Sequence, residues 1–272
     1  MIDLSKVAGF PLKFDEECCH VSFGEKMKRP SYDTRELGKL EEVLMERGAA
    51  GPEIVYWMYR NCGRLMDSAL LEAYDLRYDL SAFVSARFGP EYMKTSGHYH
   101  PNIPGQDIAY PEVYEILHGE ALYVMQKVAD YGATPQEMVV EDVIVVERVT
   151  KGQKIIMPPG YGHVTVNTGD KPFVMSNWVS SKFSSFYESV ERCRGFAYYV
   201  VEEDGKPAYV ENAEYKKGVP EIRFAEVQEI PELGLEWEVP LYKACAQAPE
   251  KFEFLNDPAK YEEKMWSGLK IL

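Results

Sequence analysis

Between about residue 79 and residue 200 the chain is written in short runs of β-branched and aromatic residues broken by Gly and Pro. Examples are LSAFVSARF (80–88), EVYEILHG (112–119), ALYVMQKV (121–128), QKIIMPP (153–159), HVTVNTG (163–169) and PFVMSNWV (172–179). Side chains of this kind suit a pleated, half-buried surface. Several such runs at close spacing favour an all-β sandwich or barrel. Around this block the pattern changes. DTRELGKLEEVLMERG (33–48) predicts a helix over about 34–47, with Asp33 or Thr34 as the cap, Leu37, Leu40, Val43 and Leu44 on one face, and Gly48 as the stop. PEIVYWMY (52–59) reads as a strand, and Glu203-Asp204-Gly205-Lys206 as the turn of a late hairpin. Three regions follow: an N-terminal extension 1–50, a β-barrel 51–217, and an accessory C-terminal tail 218–272 packed on the barrel, with a short helix near 257–266.

Inside the barrel block, polar residues recur at metal-binding intervals. Gly97-His98-Tyr99-His100 is followed by Glu112, and Gly152 through Asn167 contains His163. Along a strand, alternate residues share a face and lie about 6.6 Å apart. His98 and His100 therefore point the same way. With Glu112 and His163 from later strands they make a shell of three nitrogens and one oxygen, which suits Fe, Mn, Zn or Ni. His118 shares the parity of Glu112 but lies six residues on, about 20 Å along a strand, too far for the same ion. Glu115 has the opposite parity and should face away. Strict alternation also puts Thr95 and Gly97 opposite the two histidines, unless a bulge at Gly97 breaks it. Lys94, Lys151 and Lys154, the basic residues nearest these motifs, are expected on solvated faces, and His20 at the surface.

Composition narrows the function. The 272 residues carry a formal net charge of −14, and both nucleic acid and an anionic membrane call for a basic face. No segment approaches the ~20 apolar residues of a membrane span, and residues 1–20 show no basic stretch followed by an apolar run. Five scattered cysteines without a CxxC pair suggest reduced thiols and a cytoplasmic location. Cys18-Cys19 beside His20 lacks the usual spacing of metal ligands.

The two histidine clusters resemble the paired motifs of the cupin superfamily, a jelly-roll β-barrel. The second, GxxxxxPxGxxHxxxN, is met at each of its positions from Gly152 to Asn167; the first keeps the Glu112-to-Gly119 spacing but carries a longer insertion, 101–111 (PNIPGQDIAYP). More narrowly, residues 28–217 resemble the cupin-type glucose-6-phosphate isomerases of archaea and some bacteria. PEIVYWMY, Thr95-Ser96-Gly97-His98-Tyr99-His100, Glu112-Val113-Tyr114 and Pro158-Pro159 through Asp170 carry that likeness.

The resemblance implies a metal-dependent aldose–ketose isomerase interconverting glucose 6-phosphate and fructose 6-phosphate, a homodimer acting in glycolysis and gluconeogenesis. The metal falls to His98, His100, Glu112 and His163, with Fe²⁺ first and Mn²⁺, Zn²⁺ or Ni²⁺ as alternatives. Substrate contacts fall to Tyr56, Ser81 (in place of a threonine), Thr95, Ser96, Gly97, Tyr114 and Tyr187, with the phosphate expected near Thr95-Ser96-Gly97. Glu112 is the candidate base. The family's Tyr and His after the last core strand are replaced here by Val179 and Ser185. Isomerisation of mannose 6-phosphate or a pentose, or a cupin dioxygenase, are the alternative readings.

Overall fold

A computed structural model describes residues 1–272. The strands in chain order are β1 (Ile2–Asp3), β2 (Leu12–Asp15), β3 (His20–Phe23), β4 (Tyr32–Glu36), β5 (Ile54–Tyr59) and β6 (Leu76–Phe83). Next come β7 (Arg87–Phe88), β8 (Glu91–Lys94), β9 (Glu112–His118), β10 (Glu120–Val128), β11 (Val140–Thr150) and β12 (Lys154–Met157). The last six are β13 (Tyr161–Asn167), β14 (Phe173–Ser180), β15 (Tyr198–Glu203), β16 (Lys206–Glu211), β17 (Arg223–Val227) and β18 (Leu269–Ile271). One main sheet runs β12-β9-β14-β6-β5-β4, and the other runs β16-β15-β8-β13-β10-β11-β17-β18. Their inner faces pack into one apolar core, and the fold is all-β, a cupin barrel.

Side-chain alternation sorts the six-stranded sheet between two cores. On β9, Tyr114 and Ile116 enter the barrel core, while Val113 and Leu117 enter a second core on the outer face. On β14, Phe173 and Met175 turn inward and Val174 and Trp178 outward. A sheet buried on both faces has little need of polar alternation, so its strands read as near-continuous apolar runs.

The outer core is closed by both ends of the described chain. Phe10, Phe14 and Val21 from the N-terminal region meet Leu241, Tyr242, Phe252 and Phe254 from the tail. Trp178 stacks on Tyr242 at 5.7 Å between ring centroids, and Phe10 meets Tyr242 edge-on at 4.8 Å. The Tyr242 hydroxyl donates to Asp67 Oδ2 at 2.7 Å and accepts from Arg64 N. Near the tail's far end a 3-10 turn (Pro258–Lys260) and a short helix (Glu262–Trp266) occupy the region where a helix is expected.

The helix expected over 34–47 is not formed. Tyr32–Glu36 is β4, paired antiparallel with β5 from Tyr32↔Tyr59 to Glu36↔Ile54. It is followed by one helical turn, Leu37–Leu40, and a 3-10 turn, Glu41–Val43. The free edge of β5 captures the first residues, Gly38 weakens what would be the helix interior, and Leu40, Val43 and Leu44 still reach the barrel core.

Two of the three lysines expected in solvent are buried. Lys94 lies beside Glu91 and donates to Val43 O at 2.6 Å. Lys154 is 2.9 Å from Glu115, donates to the carbonyls of Gly152 and Glu236, and so ties the tail to β9 and β12. Glu115 Oε2 also accepts from Leu241 N at 3.0 Å. Burying either charge alone would be costly; pairing them and giving Lys154 main-chain carbonyls to donate to offsets part of that cost.

Candidate metal centre

The segment carrying the first two histidines is not a regular strand. His98 makes an isolated bridge with His163 of β13, through His98 N→His163 O at 3.3 Å and His163 N→His98 O at 3.1 Å. Just before it, Gly97 has φ +74°, in the left-handed region where an L side chain is strained. A Cβ there would also lie 3.1 Å from the Phe196 ring. This kink breaks the alternation, so Thr95 and Gly97 line the same cavity as His98 and His100.

Glu112 opens β9 and His163 lies in β13, so the two main sheets each supply a ligand candidate. The donor atoms of His98, His100, Glu112 and His163 all lie within 4.8 Å of one another. Glu112 Oε2 is 3.3 Å from Nε2 of His100, 3.3 Å from Nε2 of His163 and 3.8 Å from Nε2 of His98. Three of the four residues are buried and His98 is partly exposed. The Nδ1–H of His100 donates to Tyr110 O at 2.9 Å, which leaves its Nε2 lone pair facing the cluster. His98 Nε2 is only 3.1 Å from that nitrogen. The donor set thus fits a divalent transition ion.

The electrostatics follow the same arrangement. Burial pushes the Glu112 carboxyl up, but the imidazoles of His100, His163 and His98 outweigh it and hold it well below the usual range. Loss of water, then the neighbouring His163, lowers His98 to about 3, and burial lowers His163 as well. His98 and His163 are thereby held in the neutral form, the one that binds metals.

The cavity has a volume of about 300 Å³, at the lower end for a small-molecule site. Tyr56, Ser81, Thr95, Ser96, Gly97, Tyr114 and Tyr187 all line it, as do Val179 and Ser185. Their polar atoms are not equally free. Thr95 Oγ1 accepts from Thr165 N at 3.0 Å, and the Tyr56 hydroxyl accepts from Arg35 Nε at 3.1 Å with Ser96 Oγ at 3.5 Å. The Tyr114 hydroxyl sits 3.0 Å from His163 Nε2. His118 and His20 lie elsewhere: His118 pairs with Glu16 at 3.0 Å, and His20 bonds Tyr59 at 2.8 Å rather than standing free at the surface.

Several neighbours of the cluster carry no signal in the sequence. Asn177 of β14 donates from Nδ2 to Glu112 Oε1 at 2.6 Å, and both residues are buried. Tyr110, at the end of the inserted loop 101–111, orients His100 through its carbonyl. Its ring stacks on Phe183 at 4.6 Å. Arg60 and Arg77 also line the cavity. Cross-strand register brings these groups in, and one strand read alone does not show it.

Comparison with known proteins adds to this picture. The family model described as "Glucose-6-phosphate isomerase (GPI)" matches residues 28–217. A protein of Thermococcus litoralis named glucose-6-phosphate isomerase is 28% identical over 207 residues, covering 76% of this chain and 96% of that protein. Proteins of the same name from Pyrococcus abyssi and Thermococcus onnurineus are 31% and 29% identical over 143 residues. Those matches cover 52% of this chain and 66% of each relative.

Proposed function

We propose that this chain, which belongs to the glucose-6-phosphate isomerase family in its cupin form, interconverts glucose 6-phosphate and fructose 6-phosphate with the help of one divalent metal ion. The observation that carries the metal part is the convergence of three imidazoles and one carboxylate on a cavity sized for a small molecule. His98, His100, Glu112 and His163 would hold the ion, with Fe²⁺ the first candidate among Fe²⁺, Mn²⁺, Zn²⁺ and Ni²⁺. When bound, such an ion polarises a sugar carbonyl and stabilises the negative charge that develops on its oxygen.

The chain's own groups would do the rest. Asn177 and the Tyr110 carbonyl orient Glu112 and His100. The hydroxyls of Tyr56, Ser81, Ser96, Tyr114 and Tyr187 and the backbone of Thr95–Gly97 offer hydrogen bonds to sugar oxygens. Binding energy from these remote contacts holds C1 and C2 in place for hydrogen transfer. Glu112 is the carboxylate nearest to act as base, taking the C2 proton and returning it to C1. Its depressed pKa makes it a weak acceptor until its bonds to the imidazoles loosen. A direct hydride shift from C2 to C1 needs no base at carbon, only passage of the O2 proton to O1. Deuterium entering the product from solvent would select the proton route.

The test is a coupled assay of fructose 6-phosphate conversion on EDTA-treated protein, with each ion restored in turn. Activity that disappears with chelation and returns with an ion supports the reading. Metal-replete protein that leaves the sugar phosphate untouched sinks it, as does oxygen consumption in place of turnover. The same reading includes a homodimer, checked as a light-scattering mass of twice 31.1 kDa.

A further inference from the structure

Four neighbouring strands of the six-stranded sheet, β12-β9-β14-β6, form the wall behind Glu112, and residues 236–242 of the tail hold all four from the outer face. At β12, Lys154 Nζ donates to Glu236 O at 2.8 Å and to Trp237 O at 3.3 Å. At β9, Glu115 Oε2 accepts from Leu241 N at 3.0 Å. At β14, Trp178 Nε1 donates to Leu241 O at 3.1 Å. The Tyr242 ring stacks on Trp178 and meets Tyr78 of β6 edge-on at 5.1 Å. Leu241 opens a helix (Leu241–Gln247), where a backbone N–H has no partner within the helix and is free for Glu115. The family match ends at residue 217, so this segment lies outside it.

Leu241 bridges two residues directly behind the carboxylate of the site. On the inner face, Asn177 of β14 donates to Glu112 of β9. Register puts Asn177 opposite Tyr114 and Trp178 opposite Val113. The inner link therefore runs from Glu112 forward to the level of Tyr114. The outer link, through Leu241, runs from Glu115 back to the level of Val113. The two diagonals cross, one on each face of the same strand pair. Sliding β14 along β9 in one direction stretches the inner link, and sliding it in the other stretches the outer one. The ladder of main-chain bonds fixes the register; the crossed links limit the residual shear and twist on which the aim of Glu112 depends. A binding constellation has to be held to within about 0.5 Å, so a small shear matters.

We infer that tail residues 236–242 brace the metal centre, with Lys154, Glu115 and Trp178 as positioning residues that act through the β9–β14 pair to fix Glu112 against Asn177; this rests on the metal-dependent reading above. Cover for an apolar face asks only for apolar side chains. Here the tail is attached instead through a buried ion pair and a buried indole N–H. A buried ion pair is a costly way to gain stability alone. These polar attachments fall on β9 and β14, the two strands that carry Glu112 and Asn177, and on β12 beside them.

The test measures the affinity for Fe²⁺, Mn²⁺, Zn²⁺ and Ni²⁺ by competition against a chelator and, in metal-free protein, the NMR signal of the Asn177 side-chain amide. Trp178→Phe removes the indole donor and keeps an aromatic ring. Glu115→Leu/Lys154→Met removes the acceptor for Leu241 N and both buried charges together, so no lone charge stays in the core. Glu115→Gln/Lys154→Met changes the charge identically but keeps an acceptor for Leu241 N. Met265→Ala cuts a fully buried tail side chain outside 236–242 and serves as the control for lost stability. Thermal melts confirm folding, and each of the first two variants carries the test without the other. Both should weaken metal binding about fivefold, less than the roughly tenfold or greater loss that follows removal of a ligand's direct partner, and both should shift the Asn177 signal. Glu115→Gln/Lys154→Met and Met265→Ala should leave affinity and signal near wild type. Unchanged affinity or an unchanged signal in both link-breaking variants, or an equal loss in Met265→Ala, overturns the inference. Wild-type protein that binds none of the ions rejects the metal reading by itself. The Asn177 signal then decides the brace, upheld if the two variants move it and overturned if they do not.

Discussion

Replacing Asn177 with alanine removes the donor that holds the outer oxygen of Glu112. That bond is 2.6 Å long, and both residues are buried. A hydrogen bond to a charged group contributes about 1.5–3 kcal/mol. At about 1.4 kcal/mol per tenfold, losing all of it from the metal-bound state alone would weaken metal binding roughly 10- to 150-fold. Glu112 is ionised in the metal-free site too, held there by the imidazoles, so part of the loss falls on both states. The expected effect is therefore near the lower end, about tenfold, in line with other partners that orient metal ligands. Competition against a chromophoric chelator reads this directly, with Asn177→Asp as a second variant that sets another carboxylate beside Glu112. Folded Asn177→Ala protein whose metal affinity stays within twofold of wild type for every ion would refute the reasoning.

Burial pushes the Glu115 carboxyl from its ordinary 4.5 up to about 7 against the pull of Lys154. The fold therefore holds this proton more tightly than the unfolded chain does. The stability it contributes is fully present below about pH 4.5 and is lost as pH rises through about 7, by at most about 3 kcal/mol. Denaturant titrations across that window should show a fall that Glu115→Gln lacks; parallel profiles would contradict it. Ending the chain at residue 217 removes Leu241, Tyr242, Cys245, Phe252, Phe254 and Leu255, all fully buried. At about 1.5–3 kcal/mol for each large apolar side chain, the loss is on the order of 10 kcal/mol, comparable to a whole domain's stability. The shortened chain should aggregate or bind a hydrophobic dye, and a soluble product with a sharp melt would count against it. Of the five cysteines only Cys18 is exposed, while burial raises the adjacent Cys19 to about 12. A disulfide reagent should label one thiol quickly in native protein, and two fast thiols would show that this packing is wrong.

Much of the barrel was legible because its strands are short, apolar and separated by Gly and Pro. The four clustered donor residues could be read because metal ligands recur at strand intervals. The failures share a physical cause. The 33–48 segment carries a helix pattern, yet an open strand edge on β5 captured its first residues, an influence that lies outside the segment itself. Lys94 and Lys154 look like surface residues until Glu91 and Glu115 are set beside them. Asn177, Arg60, Arg77 and the Tyr110 carbonyl join the site only through register between strands and one long loop. Parity placed Glu112 and Tyr114 on the inner face, and the break in alternation allowed for at Gly97 is there, a left-handed glycine just before His98 that leaves Thr95 lining the cavity.

The doubly buried six-stranded sheet has a consequence for synthesis. Strands β4, β5, β6, β9, β12 and β14 are complete by residue 180, but the aromatic part of the cover that includes Tyr242, Phe252 and Phe254 comes from residues 241–255. Phe10 and its neighbours emerge early yet have no Tyr242 to pack against until those later residues have been made. Throughout that interval a wide apolar face stays wet on the ribosome, at the typical pace of ~5–20 residues per second. The nascent chain thus passes through seconds of exposure that the finished molecule never shows. Its yield in a cell should depend on chaperone supply more steeply than its final stability would suggest.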